Sequence, residues 1–138
     1  MRITRQTKID LLKRIPLFAD CSKTELEAVS RAADELTLRE GRVLMRQGER
    51  GRELVVLLDG DVKVERGGVT VATMHGGEFL GELALITGRP RTATVTALTD
   101  VRTLVLDGIS FDRLLRDMPT VSAKVLKALA ERLPADDV

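Results

Sequence analysis

Between about Leu36 and Leu106 the chain is cut by glycines into runs too short to be helices. Gly41, Gly48, Gly51, Gly60, Gly67-Gly68, Gly76-Gly77 and Gly88 separate short stretches rich in valine, leucine and threonine. Such runs, bounded by turn signals, predict strands. Val62 and Val64 alternate with polar residues, as do Val69 and Val71, across a Gly67-Gly68 pair that suits a tight hairpin. The run Glu53 to Leu58 is mostly apolar instead, which predicts a strand buried on both faces. Val95, Val101, Leu104 and Leu106 supply the last strands, with Thr99-Asp100 as the turn between them. Many short strands at near-regular spacing predict a sandwich or a barrel.

Both flanks change period. Leu11, Leu12 and Ile15 predict a short amphipathic helix ending before Pro16. A second helix is predicted from Ser22, with Glu25 as its capping-box partner and Leu26, Val29 and Ala33 on its apolar face. After the strands, Ser110 is read as the cap of a helix carrying Phe111, Leu114 and Leu115. A last helix is expected from Pro119, placing Val121, Val125, Leu126, Leu129 and Leu133 on one side until Pro134 stops it. The expected fold class is therefore mainly β with flanking helices. It is organised as one domain over 1–138, with helices over 1–35, strands over 36–107 and helices over 109–134.

Composition narrows function by exclusion. Twenty-two basic residues against 21 acidic ones leave a net charge of +1, which gives no general pull toward nucleic acid or an anionic membrane. A single cysteine, Cys21, allows no internal disulfide and fits a reducing compartment. No run approaches ~20 apolar residues, and the N-terminus lacks the apolar stretch of a signal peptide, so a cytoplasmic protein is expected. His75 is the only histidine and is read as a turn residue; no metal site and no catalytic residue is predicted. Arg46, Arg50 and Arg52 are read as a solvated rim, and Arg89 as solvent-facing or as raising the positive potential near the pocket. No Gly-Lys-Ser/Thr loop follows a strand, which excludes the common triphosphate cradle.

The informative segment runs from Phe79 to Val95, FLGELALITGRPRTATV. Gly81 opens what reads as a single helical turn, Glu82 to Ile86, closed by Gly88. The first N–H groups of such a turn are free to bind an anion. Arg91 adds a planar guanidinium able to grip two phosphate oxygens, and Thr92 a hydroxyl beside it. Glu82 does not belong in a phosphate cradle, because a carboxylate repels phosphate and only accepts hydrogen bonds. It is therefore assigned to a sugar hydroxyl. Phosphate and sugar hydroxyl read within one short loop imply a small nucleotide.

This segment resembles the phosphate-binding cassette of cyclic nucleotide-binding domains, found in catabolite activator-type regulators, cyclic-nucleotide-dependent kinases and cyclic-nucleotide-gated channels. The residues that carry the resemblance are Leu80-Gly81-Glu82-Leu83-Ala84-Leu85 and Arg91-Thr92-Ala93. Upstream, Gly48-Glu49-x-Gly51, Leu54 to Leu57 and Gly60 match as well, and the opening phrase Ile15-Pro16-Leu17-Phe18 extends the likeness over nearly the whole chain. Met45 and His75 depart from the pattern.

The resemblance implies a jelly-roll β-barrel with N-terminal helices and C-terminal lid helices. It implies a cyclic nucleotide ligand, cAMP, with cGMP as the alternative that Thr92 keeps open. Arg91 is implied to pair with the cyclic phosphate and to face solvent until it does. Glu82 is implied to accept from the ribose 2′-hydroxyl. Backbone N–H groups around Gly81, Ala84, Thr92 and Ala93 complete the cradle, within a ligand-binding set that also takes in Phe79, Leu80 and Leu83. The base is expected against Val71 and neighbouring aliphatic residues, with the last helix closing over it and Arg132 as the lid residue. A sensor of this kind needs a protein effector, in trans or in a longer chain, and is compatible with a homodimer. The rival readings are the sensor part of a transcription regulator, a nucleotide-processing enzyme, and a relative that binds no nucleotide.

Overall fold

The computed structural model describes residues 5–132, and the side chains of 7–131. Helix α1 (Arg5–Lys13), a 3-10 turn (Pro16–Phe18) and helix α2 (Lys23–Ala32) precede strands β1 (Asp34–Leu38), β2 (Val43–Met45), β3 (Glu53–Asp59), β4 (Asp61–Arg66), β5 (Val69–His75) and β6 (Phe79–Leu80). Helix α3 (Glu82–Thr87) interrupts the strands, which resume as β7 (Thr94–Ala97) and β8 (Val101–Asp107) before α4 (Gly108–Asp117) and α5 (Pro119–Arg132). The strands form two four-stranded antiparallel sheets, ordered β1-β8-β3-β6 and β2-β7-β4-β5. The architecture is a mainly-β, jelly-roll-like sandwich with flanking helices, as the glycine-cut sequence predicts.

Its core has two layers that share one sheet. Leu54 and Val56 of β3 join Leu104 and Leu106 of β8 beneath the helices, with Phe18, Leu26 and Phe111. Val55 and Leu57 point the other way, to Val62, Val95 and Val101 between the sheets. Adjacent residues of a strand face opposite sides. The apolar run from Leu54 to Leu57 is therefore what a sheet with helices on one face and a second sheet on the other requires. The hairpin is as predicted, with Arg66 opposite Val69 and positive φ at both Gly67 (57°) and Gly68 (81°). Positive φ at both central residues makes a turn whose twist suits a two-residue hairpin loop.

Ser22 caps α2 with the full reciprocal box. Its hydroxyl accepts from the Glu25 amide at 3.1 Å, and the Glu25 carboxylate accepts from the Ser22 amide at 2.8 Å. Strand β1 begins at Asp34, two residues before the expected start of the β region. Two helix expectations need correction. The cap of α4 is Asp107, whose carboxylate accepts from the Ser110 amide at 2.7 Å, so Ser110 sits within the first turn. A carboxylate at the end of β8 reaches the free N–H groups first, because the strand runs directly into the helix. On α5, Val121 and Val125 are buried but Leu126 is 69% exposed. Residues 125 and 126 lie about 100° apart on a helix, so one narrow seam cannot hold both. Leu133 and Pro134 lie outside the described residues. Among the described residues no helix is long and apolar enough to cross a membrane.

Candidate functional site

A cavity of about 390 Å³ opens on the inner face of the β2-β7-β4-β5 sheet. Its apolar floor is Met45 of β2, Val95 of β7 and Leu80 of β6, with Val64 of β4 and Ala72 and Met74 of β5 along the side. One rim is Gly81, Glu82, Leu83 and Ala84; a second is Arg91, Thr92 and Ala93. Arg66 at the end of β4 and Glu131 on α5 border the opening.

A defect in the β4–β5 ladder places the side wall. Val64 pairs with Ala72 and Glu65 with Thr70, which leaves Val71 as an extra residue in β5. Ala72 and Met74 share a face by ordinary alternation, and the bulge turns Val71 to the same cavity. A bulge of this kind re-aims a side chain without ending the strand.

The two rims meet at Arg91. Gly81 caps α3 with φ 97°, and Gly88 ends it with φ 71°, both left-handed conformations that a side chain would strain. Between them Glu82 is buried to 1% exposure, facing the cavity from the first turn. The backbone of Arg91 is stapled to the loop after β2: its amide donates to the Glu49 carbonyl at 2.8 Å, and its carbonyl accepts from the Gly48 amide at 2.9 Å. Its side chain donates to the Gly81 carbonyl at 3.0 Å and to the Glu53 carbonyl at 2.9 Å. The guanidinium is thus half-buried and held, where the sequence reading had it facing solvent. Burial lowers its pKa from the ordinary arginine value, while the nearby charges of Glu53 and Glu82 pull it back up. Arginine does not lose its proton in proteins.

Gly81, Glu82, Leu83, Ala84, Leu80, Arg91, Thr92, Ala93 and Val71 all line the one cavity. Phe79 does not. It packs against the helix-side core, because Leu80 takes the inward position and consecutive strand residues diverge. Arg132 is the last residue of α5, and its side chain lies outside the described residues; the α5 residue that borders the cavity is Glu131. The sequence singles out as site residues neither Val64 nor Arg66, nor Met45, Ala72, Met74, Val95 and Glu131, all of which line the cavity. Alternation along β4 points to the first two, since they share the face of Val62, but nothing in the sequence announces the bulge.

A family model described as "Cyclic nucleotide-binding domain" matches residues 35–118. A cyclic nucleotide-gated potassium channel of Rhizobium etli is 34% identical over 122 residues, covering 88% of this chain and 34% of the channel. A cAMP-dependent protein kinase regulatory subunit of Schizosaccharomyces pombe is 32% identical over 106 residues, covering 76% of this chain and 26% of the subunit. The chain thus spans about a third or less of these relatives. Among solved structures, PKAR CBD2 with bound Sp-2Cl-cAMPS superposes with a TM-score of 0.81 at 25% identity, covering 92% of this chain and 87% of that one.

Proposed function

The chain belongs to the cyclic nucleotide-binding domain family, and on that footing we propose that it binds cAMP as a sensor module. What carries the reading is that Glu82, from the first turn of α3, and Arg91, from the loop before β7, reach one cavity with an apolar floor. In this proposal Arg91 pairs with the cyclic phosphate, helped by N–H groups of the Gly81–Ala84 and Thr92–Ala93 rims. Glu82 accepts from the ribose 2′-hydroxyl. The base lies along Val71, Ala72 and Met74, with Arg132 as the lid residue above it. The names of the kinase relative and of the solved neighbour support cAMP. Thr92, exposed on the rim, supports cGMP as the second reading, since its hydroxyl can meet a guanine edge.

Signal transmission is proposed to run through α5. It touches α3, so a ligand that draws the α3 turn inward changes what α5 packs against. The ligand shifts that equilibrium only by its difference in affinity for the two arrangements. The module is proposed to act by binding alone, without catalysis, in the cytoplasm, on a protein effector in trans or in a longer chain. The whole of 1–138 is read as one sensing unit.

The test compares thermal melting of the protein with cAMP, cGMP and linear AMP. A ligand at a hundred times its Kd stabilises by about 2.7 kcal/mol, so the cyclic compound should raise Tm and linear AMP should not. Arg91→Ala should weaken cAMP binding by about tenfold or more while the fold survives, since charged hydrogen bonds contribute about 1.5–3 kcal/mol each. Equal shifts with linear AMP, or undiminished affinity in Arg91→Ala, would defeat the reading.

A further inference from the structure

The loop between β2 and β3 carries two glycines that the site does not explain in the same way. Gly48 adopts φ 87° with open space where a Cβ would stand, so its backbone conformation accounts for it. Gly51 has no left-handed φ, and nothing in its own backbone asks for glycine. What asks for it is in front of it. A Cβ at Gly51 would stand 2.5 Å from the Ala84 Cβ, and 2.9 Å from both Cζ and Nε of Arg91. Those two neighbours belong to the two rims of the cavity.

We infer that Gly51 is a positioning residue of the site, whose missing side chain lets the Arg91 guanidinium and the α3 turn close on each other at the phosphate end. The inference rests on the cyclic nucleotide reading and adds a wall to it. Arg91 lies between two glycines, because a Cβ at Gly81 would likewise stand 2.6 Å from its terminal nitrogen. Its hydrogen bonds to the Gly81 and Glu53 carbonyls hold the guanidinium in that slot. A methyl at position 51 leaves every charge and donor in place and changes only where they sit. Gly51 therefore sets affinity through the geometry of Arg91 and Ala84, without touching the ligand.

The experiment measures cAMP affinity by calorimetry and unliganded Tm for the wild type, Gly51→Ala and Gly76→Ala. Gly76 is the matched control. It too lacks a positive φ, and a Cβ there would meet the Leu58 carbonyl oxygen at 2.9 Å, away from the cavity. Gly51→Ala should lower affinity about tenfold or more, whereas Gly76→Ala should lower Tm and leave affinity unchanged. If both alanines weaken binding equally, or neither does, Gly51 is merely a packing glycine and the inference is overturned. If Gly51→Ala does not fold, Ala84→Gly is compared with Gly51→Ala/Ala84→Gly, which removes the closest overlap and keeps the one with Arg91. The double variant should bind about tenfold more weakly than Ala84→Gly; equal affinity overturns the inference. Failure of the wild type to bind cAMP or cGMP would instead strike the functional reading itself.

Discussion

A carboxylate at 1% exposure, as Glu82 is, must be offset by its surroundings or it would cost several kcal/mol. Arg91 supplies part of that offset, and its attraction to Glu82 is among the influences on its own proton affinity. The proposed role of Glu82 is narrower than charge balance, because an acceptor aimed at a 2′-hydroxyl discriminates between ligands. Glu82→Gln keeps the size and weakens the acceptor. It should reduce affinity for cAMP by about tenfold and affinity for 2′-deoxy-cAMP far less, as read by competition binding. Equal losses for the two ligands would show that Glu82 serves the fold and not the sugar.

At the scale of elements, the capping box and the hairpin base give two separate predictions. Ser22→Ala removes one side of the reciprocal box on α2 and should lower stability by about 1 kcal/mol, measured by denaturant unfolding. The second concerns pH. His75 at the end of β5 faces Asp61 at the start of β4, with Nδ1 2.6 Å from the carboxylate, and the hydrogen bond raises the His75 pKa above its ordinary 6.5. A group whose pKa is higher in the folded state stabilises it fully below the unfolded value. That contribution is lost as pH rises through the folded value. The Tm difference between wild type and Asp61→Asn should therefore be greatest near pH ~5.5 and shrink toward pH ~8. A difference that stays flat over that range would mean the contact does not join the two strands in solution.

Over the whole molecule, two apolar layers share the β1-β8-β3-β6 sheet, and the cavity borders only the one between the sheets. Leu54 is fully buried on the helix side. Leu54→Ala should destabilise the protein by about 2–5 kcal/mol, yet the stabilisation gained on adding cAMP should match the wild type. Affinity that falls along with stability would show the site leaning on both layers. The strand-rich centre, the hairpin and the α3 turn were legible because each is written locally, in glycine spacing, two-residue alternation and a short motif. The extra residue at Val71 was not legible, since a register shift belongs to a pair of strands and neither sequence contains it alone. The cap of α4 was misread because two polar residues, Asp107 and Ser110, competed for the same free N–H groups. Chain direction out of β8 decided between them. Phe79 was placed in the site by its position in the motif, and the alternation of β6 sends it to the opposite core. By itself, then, the sequence determined which residues turn, which alternate and which carry charge, because those properties act over a few bonds. Only the tertiary structure brought the Gly48–Gly51 loop onto Arg91 and Ala84, because contacts between distant segments form only when burying both layers fixes the distance between them.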